Sequence, residues 1–253
     1  MTIQYCSDLH LEFESNRKYL AKYPLIPTGD ILILAGDIVP FEQLDAHHDF
    51  INFLSDHFKQ TYWIPGNHEY YYSDINNKTG LLNEAIRSNV FLVNNIVLEL
   101  EKLTLICATL WSNISPDNYL SMQNRMADFS VIRNGAQVFT PNDFNALHLD
   151  CCHFLQKALQ QKHDGTTIVV THHVPTFLHY PAKYKKDKLN EAFATELSGL
   201  IESSTVDYWL YGHHHVNVPE FSIGKTKLLT NQLGYIKYKE NIGFKNNATI
   251  KII

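Results

Sequence analysis

The chain has 253 residues, 45% of them hydrophobic and 19% charged. That composition excludes a disordered chain, and the length suffices to bury a core without disulfides or a structural metal. Twenty-one Lys and Arg against 26 Asp and Glu give a formal net charge of −5. This counts against a dedicated nucleic-acid binder, which carries a strong basic excess. The anomaly is 14 histidines, the commonest metal-ligand residue and the side chain suited to proton transfer near neutral pH.

Met1-Thr2-Ile3-Gln4-Tyr5 runs straight into a strand over 3–7, with no basic leader, apolar signal core or cleavage site. A second strand is predicted over 31–35, then a helix over 42–58, where Leu44, Phe50, Ile51, Phe53, Leu54 and Phe58 recur at helical spacing. A strand over 60–64 precedes a helix over 74–88, capped by Ser73 or Asp74. Strands over 90–93, 96–100 and 103–108 follow, then an irregular stretch over 111–141 that reads mainly as long loops. A long helix over 142–162, a strand over 166–171, a helix over 189–203 and a strand over 206–211 complete the alternation. Short β-like runs at 220–223, 227–230, 235–238 and 248–253 form the tail. The alternation predicts βα units, and the strand-rich stretches a second sheet. No repeat or linker divides the chain, so 1–253 reads as a single domain. No window approaches the ~20 apolar residues of a membrane span. Cys6, Cys107, Cys151 and Cys152 have no spacing suited to a disulfide framework or zinc knuckle, and read as buried reduced thiols of a cytoplasmic protein.

Five strand-like runs each end in a polar cluster: Asp8-Leu9-His10, Gly36-Asp37, Gly66-Asn67-His68-Glu69, His172-His173 and Gly212-His213-His214-His215. Ligands of open α/β sheets sit outside the carboxyl ends of the strands, so five such clusters can converge on one site. In an extended segment, side chains at i and i+2 point the same way, which pairs Asp8 with His10 and His213 with His215 and turns Leu9 and His214 away. The glycines before Asp37, Asn67 and His213 suit tight turns. Asp, Asn and His make an N/O donor set with no sulfur, suited to Mn, Fe, Zn, Co or Ni. The set exceeds the four ligands of a structural zinc and suits two ions about 3.5–4 Å apart, a pair that can clamp a phosphoryl group.

In order and content, these five clusters resemble the motifs of the calcineurin-like metallophosphoesterase family, from Asp8 to His215. The resemblance implies a four-layer α/β/β/α sandwich with two mixed β-sheets and a dinuclear metal site at the strand ends. It implies that Asp8, His10 and His215 hold one metal, that Asn67, His172 and His213 hold the other, and that Asp37 bridges both. Spacing does not choose between His172 and His173; the family pattern favours His172. His68 would bind no metal and would face the leaving group as general acid. The reaction implied is hydrolysis of a phosphate ester, in which the metals lower the pKa of water and no side-chain base is needed.

Protein Ser/Thr phosphatases of this superfamily continue the second motif with Asp-Arg-Gly, whereas here Gly36-Asp37 is followed by Ile38-Val39-Pro40. The first expectation is therefore a small-molecule or nucleotide phosphodiesterase, with a phosphomonoesterase second and a nuclease or a metal-free scaffold behind. Glu69 is expected either to orient a ligand histidine or to fix a loop. The basic loop 183–188 reads as solvated rather than phosphate-binding, Arg125 and Arg133 as surface residues or phosphate contacts, and Trp111 as part of the site's wall. His47 and His48 are expected to be exposed, and His148, His153 and His163 to be structural.

Overall fold

Ile31-Leu32-Ile33-Leu34-Ala35 is apolar throughout, and the structure buries all five residues, as expected of a parallel strand covered on both faces. The structure is a computed structural model that describes residues 1–184 and 187–252. Lys185 and Lys186 of the basic loop, and Ile253 at the end of the last predicted strand, lie outside the described residues.

The strands are β1 (Thr2–Cys6), β2 (Ile31–Ala35), β3 (Gln60–Ile64), β4 (Leu82–Arg87), β5 (Val90–Asn94), β6 (Ile96–Leu100) and β7 (Leu103–Ala108). After the two-residue strands β8 (Arg133–Asn134) and β9 (Gln137–Val138) come β10 (Thr166–Thr171), β11 (Tyr208–Tyr211), β12 (Phe221–Ile223), β13 (Thr226–Thr230) and β14 (Thr249–Lys251). Two six-stranded sheets result, in the orders β14-β1-β2-β3-β5-β4 and β12-β13-β11-β10-β7-β6. Their central pairings are parallel and their edge strands antiparallel, so both sheets are mixed. The parallel registers, with Cys6 opposite Leu34, Leu34 opposite Trp63, and Val170 opposite both Cys107 and Leu210, align the carboxyl ends within each sheet.

Three apolar layers hold the sheets in place. Ile3, Ile33 and Ile64 of the first sheet meet Leu105, Cys107, Val170 and Leu210 of the second between them. Helices α1 (Glu14–Lys22) and α2 (His48–His57) cover the outer face of the first sheet, where Leu54 packs with Leu32, Leu34 and Trp63. The outer face of the second is covered by α5 (Pro141–Leu159), whose Phe144, Cys151 and Leu155 pack with Ile106, Val169 and Trp209. The shorter α3 (Tyr119–Arg125), α4 (Asp128–Val131) and α6 (Ser198–Ser203) complete the set. This is the expected α/β/β/α layering. A capping box, with Thr140 and Asp143 each bonded to the other's backbone, starts α5.

Several elements differ from expectation. The helix predicted over 74–88 is instead a single 3₁₀ turn at Ile75–Asn77, capped by Asp74, followed by edge strand β4. Residues 82–87 alternate in burial, and Gly80 at φ +71 breaks the chain before them, so pairing with β5 wins over helix propensity. The helix predicted over 189–203 is interrupted. Val174 and Thr195 exchange backbone hydrogen bonds with Phe193 and Val174, drawing 193–195 out of any helix and leaving α6 alone beyond them. The run at 235–238 is a 3₁₀ turn at Ile236–Tyr238, not a strand. Helix α1 and the β8–β9 ribbon had no strong periodic signal. Among the described residues no helix is long and apolar enough to cross a membrane, and all four cysteines are free thiols.

Candidate metal centre

The loops after β1, β2 and β11 reach the site through unusual backbone. Asp8, His10, Asp37, His213 and His215 all have positive φ, between 48° and 78°. Asp and His tolerate the left-handed region better than most residues, yet each costs about 1–3 kcal/mol and persists only where its surroundings impose it. The two i, i+2 pairs therefore converge through left-handed turns, not through the extended backbone expected from the sequence. Gly36, at φ +89, and Gly66 are needed for close approach, because a Cβ on either would strike the His172 ring.

Beside a smaller His10–Glu12–His68 group, two groups of donor atoms result, Asp8–His10–Asp37–His215 and Asp37–His172–His213, each with its atoms within 4.8 Å of one another. Asp37 belongs to both. His10 Nε2 lies 3.0 Å from His215 Nε2, and His172 Nε2 lies 3.0 Å from His213 Nδ1. The opposite nitrogens are committed elsewhere: His10 Nδ1 to Glu12 Oε1 at 3.0 Å, His215 Nδ1 to Glu240 Oε2 at 2.7 Å, His172 Nδ1 to the Ala35 carbonyl at 2.9 Å and His213 Nε2 to the Ala192 carbonyl at 3.4 Å. With those nitrogens donating, the nitrogens that face each other across each 3.0 Å gap need a proton or a metal ion to relieve the repulsion of their lone pairs. Asn67 Oδ1 is buried with no hydrogen-bond partner, while Asn67 lines the same cavity as Asp37 and His213. Facing lone pairs, an orphaned amide oxygen and an N/O donor set all fit transition-metal ions.

Protons compete for these positions. Burial alone would lower the His215 pKa, but hydrogen bonds to Asp8 and Glu240 raise it to about 10. Burial likewise disfavours charge on His172, but Asp37 raises it to about 9. His173 turns away: its Nδ1 reaches the Thr109 carbonyl at 3.3 Å, and burial, followed by the neighbouring His172 charge, holds its pKa well below the usual range. His214 points to Gln232, and burial holds it at about 4.

His68 sits beside the two groups. Its Nδ1 lies 2.8 Å from the same Glu12 Oε1 that takes His10, its Nε2 lies 3.2 Å from the Tyr235 hydroxyl, and its ring stacks on Tyr71 at 4.1 Å. Burial would raise the Glu12 pKa, but the hydrogen bonds from His10 and His68 hold it at about 2. Glu69 fixes loops and hydrogen-bonds no histidine. It accepts the backbone N–H of Asp37, Ile38 and Gly66 and the Trp63 indole N–H, at 2.7–2.9 Å. Burial and then the Asp37 charge push its pKa up to about 7, yet four donors surround it and a protonated oxygen would have to face one of them. We therefore take Glu69 as ionised.

Glu12, Asp128, Tyr235 and Glu240 were not among the residues singled out from the sequence. Glu12 alone offered a signal, standing two residues after His10. Trp111 is buried against Phe144 and His173 and backs the site without walling it. Arg125 lines the cavity and pairs with Asp187 at 3.5 Å, whereas Arg133 lies exposed on β8.

A family model described as calcineurin-like phosphoesterase matches residues 1–217. The chain belongs to the calcineurin-like phosphoesterase family. It is accordingly a metal-dependent phosphoesterase, and its His/Asp clusters are candidate dimetal sites of the kind typical of this family. An uncharacterised protein of Acanthamoeba polyphaga mimivirus is 30% identical to this calcineurin-like phosphoesterase over 266 residues, covering 94% of this chain and 93% of that one. A phosphopantetheinyl hydrolase from Mycobacterium tuberculosis superposes with a TM-score of 0.71 at 15% identity, over 98% of this chain and 95% of the other. At that identity the likeness is one of fold.

Proposed function

We propose that this phosphoesterase, acting as one domain over 1–253, hydrolyses a phosphodiester of a small molecule or nucleotide. In this reading Asp8, His10 and His215 hold one transition-metal ion (Mn, Fe, Zn, Co or Ni), Asn67, His172 and His213 hold a second, and Asp37 serves both. Such ions, when bound, lower the pKa of water toward neutral and neutralise charge on phosphoryl oxygens. His68 holds the proton for the leaving oxygen: Glu12 fixes its Nδ1, which leaves Nε2 turned to Tyr235 at the cavity.

The observation that supports a diester is the cavity wall. The cavity, of about 360 Å³, is faced by Tyr71, Met126, Tyr180, Tyr184, Leu189, Phe193 and Tyr235. Among the described residues Arg125 is its single Lys or Arg, and that side chain is shared with Asp187. A monoester brings a second negative charge, which sites bind with further cations or bidentate arginines; a diester brings one charge and a second, uncharged arm that aromatic walls can cover.

Protein reconstituted with metal should be assayed on bis(p-nitrophenyl) phosphate and on p-nitrophenyl phosphate, then on cyclic nucleotides and dinucleoside polyphosphates. A higher kcat/KM for the bis ester is expected. Preference for the mono ester would overturn the diester assignment.

A further inference from the structure

We infer that Asp128 orients Asn67 for metal binding, which makes the α3–α4 segment part of the metal centre; the inference rests on the ligand assignment proposed above. Asp128 is 2% exposed, and its two oxygens have separate partners. Oδ1 accepts Asn67 Nδ2 at 3.0 Å, and Oδ2 accepts the Tyr71 hydroxyl at 3.1 Å. A carboxylate takes only the N–H side of an amide. Rotating the Asn67 amide would set its oxygen against Asp128 Oδ1, acceptor against acceptor in a buried place. Asp128 thereby decides which end of the amide is left over, and the end left over is the buried, unpartnered Oδ1. An amide oxygen desolvated and kept free of hydrogen bonds is a lone pair reserved for a cation.

The other oxygen of Asp128 acts in parallel. It holds Tyr71, whose ring stacks on His68 with 26° between the planes. One carboxylate therefore places a ligand of the second metal and the ring beneath the proton donor. The segment that carries it is anchored by the next residue, Phe129, packed against Phe139 and Phe144 in the core over the second sheet. Asp128 is a positioning residue, since it acts through Asn67 and Tyr71.

The test is titration of metal-free protein with Mn²⁺ or Zn²⁺ alone, for wild type, Asp128→Ala, Asp128→Asn and Tyr71→Phe, with the metal-free melting temperature as a check on folding. Asp128→Ala should bind the first equivalent as wild type does, while the Kd of the second rises by about 10–100-fold. Asp128→Asn keeps a carbonyl to accept the Asn67 N–H and should restore the second Kd to within about threefold. Tyr71→Phe removes the longer 3.4 Å bond from Asn67 Nδ2 to the Tyr71 hydroxyl but leaves the 3.0 Å bond to Asp128, and should keep both equivalents. If Asp128→Ala does not fold, the near-isosteric Asp128→Leu removes the same acceptor and should show the same loss. Two equivalents at wild-type affinity in the Ala or Leu variant would overturn the inference, as would an Asn variant as impaired as Ala. A wild type that takes no second equivalent would instead break the ligand assignment, and this inference with it.

Discussion

His10 and His215 point Nε2 at Nε2 across 3.0 Å while each ring's Nδ1 bonds a different glutamate, Glu12 and Glu240. Each glutamate holds the Nδ1 proton of its histidine, so both Nε2 atoms face the gap, where a metal ion can take the place of a shared proton. His172 and His213 repeat the arrangement with backbone carbonyls in place of the carboxylates. The centre is thus preorganised for cations by groups one bond removed from them.

Removing the metals should therefore loosen the protein without unfolding it. Ions bound only by the native state stabilise it, but the three apolar layers hold without them. Chelation should lower the melting temperature and leave native-like far-UV circular dichroism. Complete unfolding on chelation would contradict this picture of the core.

Glu240→Ala frees the His215 ring. We expect about a 10–100-fold loss of affinity for one of the two ions, read by competition with a chromophoric chelator. The other ion should be retained, since Glu240 accepts hydrogen bonds from His215 and the Tyr235 backbone and from neither His172 nor His213. Equal loss of both ions would mean that Glu240 acts on the fold and not on His215.

Metal uptake should release protons. In the metal-free chain His215 and His172 titrate near 10 and 9, above neutral pH, so both carry protons that the ions must displace. Raised pKa values mean that protons win at low pH, and affinity should climb by about tenfold per pH unit for each proton released. Calorimetry between pH 6 and 8 in buffers of different ionisation enthalpy would detect the release. Uptake independent of pH and buffer would contradict the assignment of these rings as ligands.

Glu69→Ala should destabilise the protein by at least about 3 kcal/mol, because four buried N–H donors lose their acceptor at once. Urea unfolding of the metal-free protein measures this, with the slope unchanged. The loops that carry Asp37 and Asn67 share that acceptor, so metal affinity should fall as well.

Loss of His68 should cost activity by an amount that depends on the leaving group. His68→Ala should keep its metals but lose on the order of 10²–10⁴ in kcat for an alkoxide leaving group, and less for a nitrophenolate, which departs without a proton. Equal losses on both would assign His68 to charge stabilisation, and loss of metal would make it a ligand.

The strand ends that carry Asp8, Asp37, Asn67, His172 and His213 could be read from sequence because each follows an apolar run, and runs buried on both faces are legible from composition alone. The residues that orient them were not. Asp128 meets Asn67 from 61 positions away, Glu240 meets His215 from 25, and Glu12 meets His68 from 56, and no local period encodes such pairs. Residues 74–88 misled for a different reason. The alternation over 82–87 is short, and only pairing with β5 turns it into a strand. The stretch 111–141 looked irregular because its helices α3 and α4 span one or two turns and their apolar faces are set by α5, not by their own periodicity.

Anomalous diffraction from crystals grown with Mn²⁺ or Zn²⁺ would locate the ions. Two peaks about 3.5–4 Å apart are predicted, one among Asp8, His10 and His215, the other among Asn67, His172 and His213, with Asp37 between them. A single tetrahedral ion, or a peak held instead by the neighbouring His10, Glu12 and His68, would contradict the dinuclear centre.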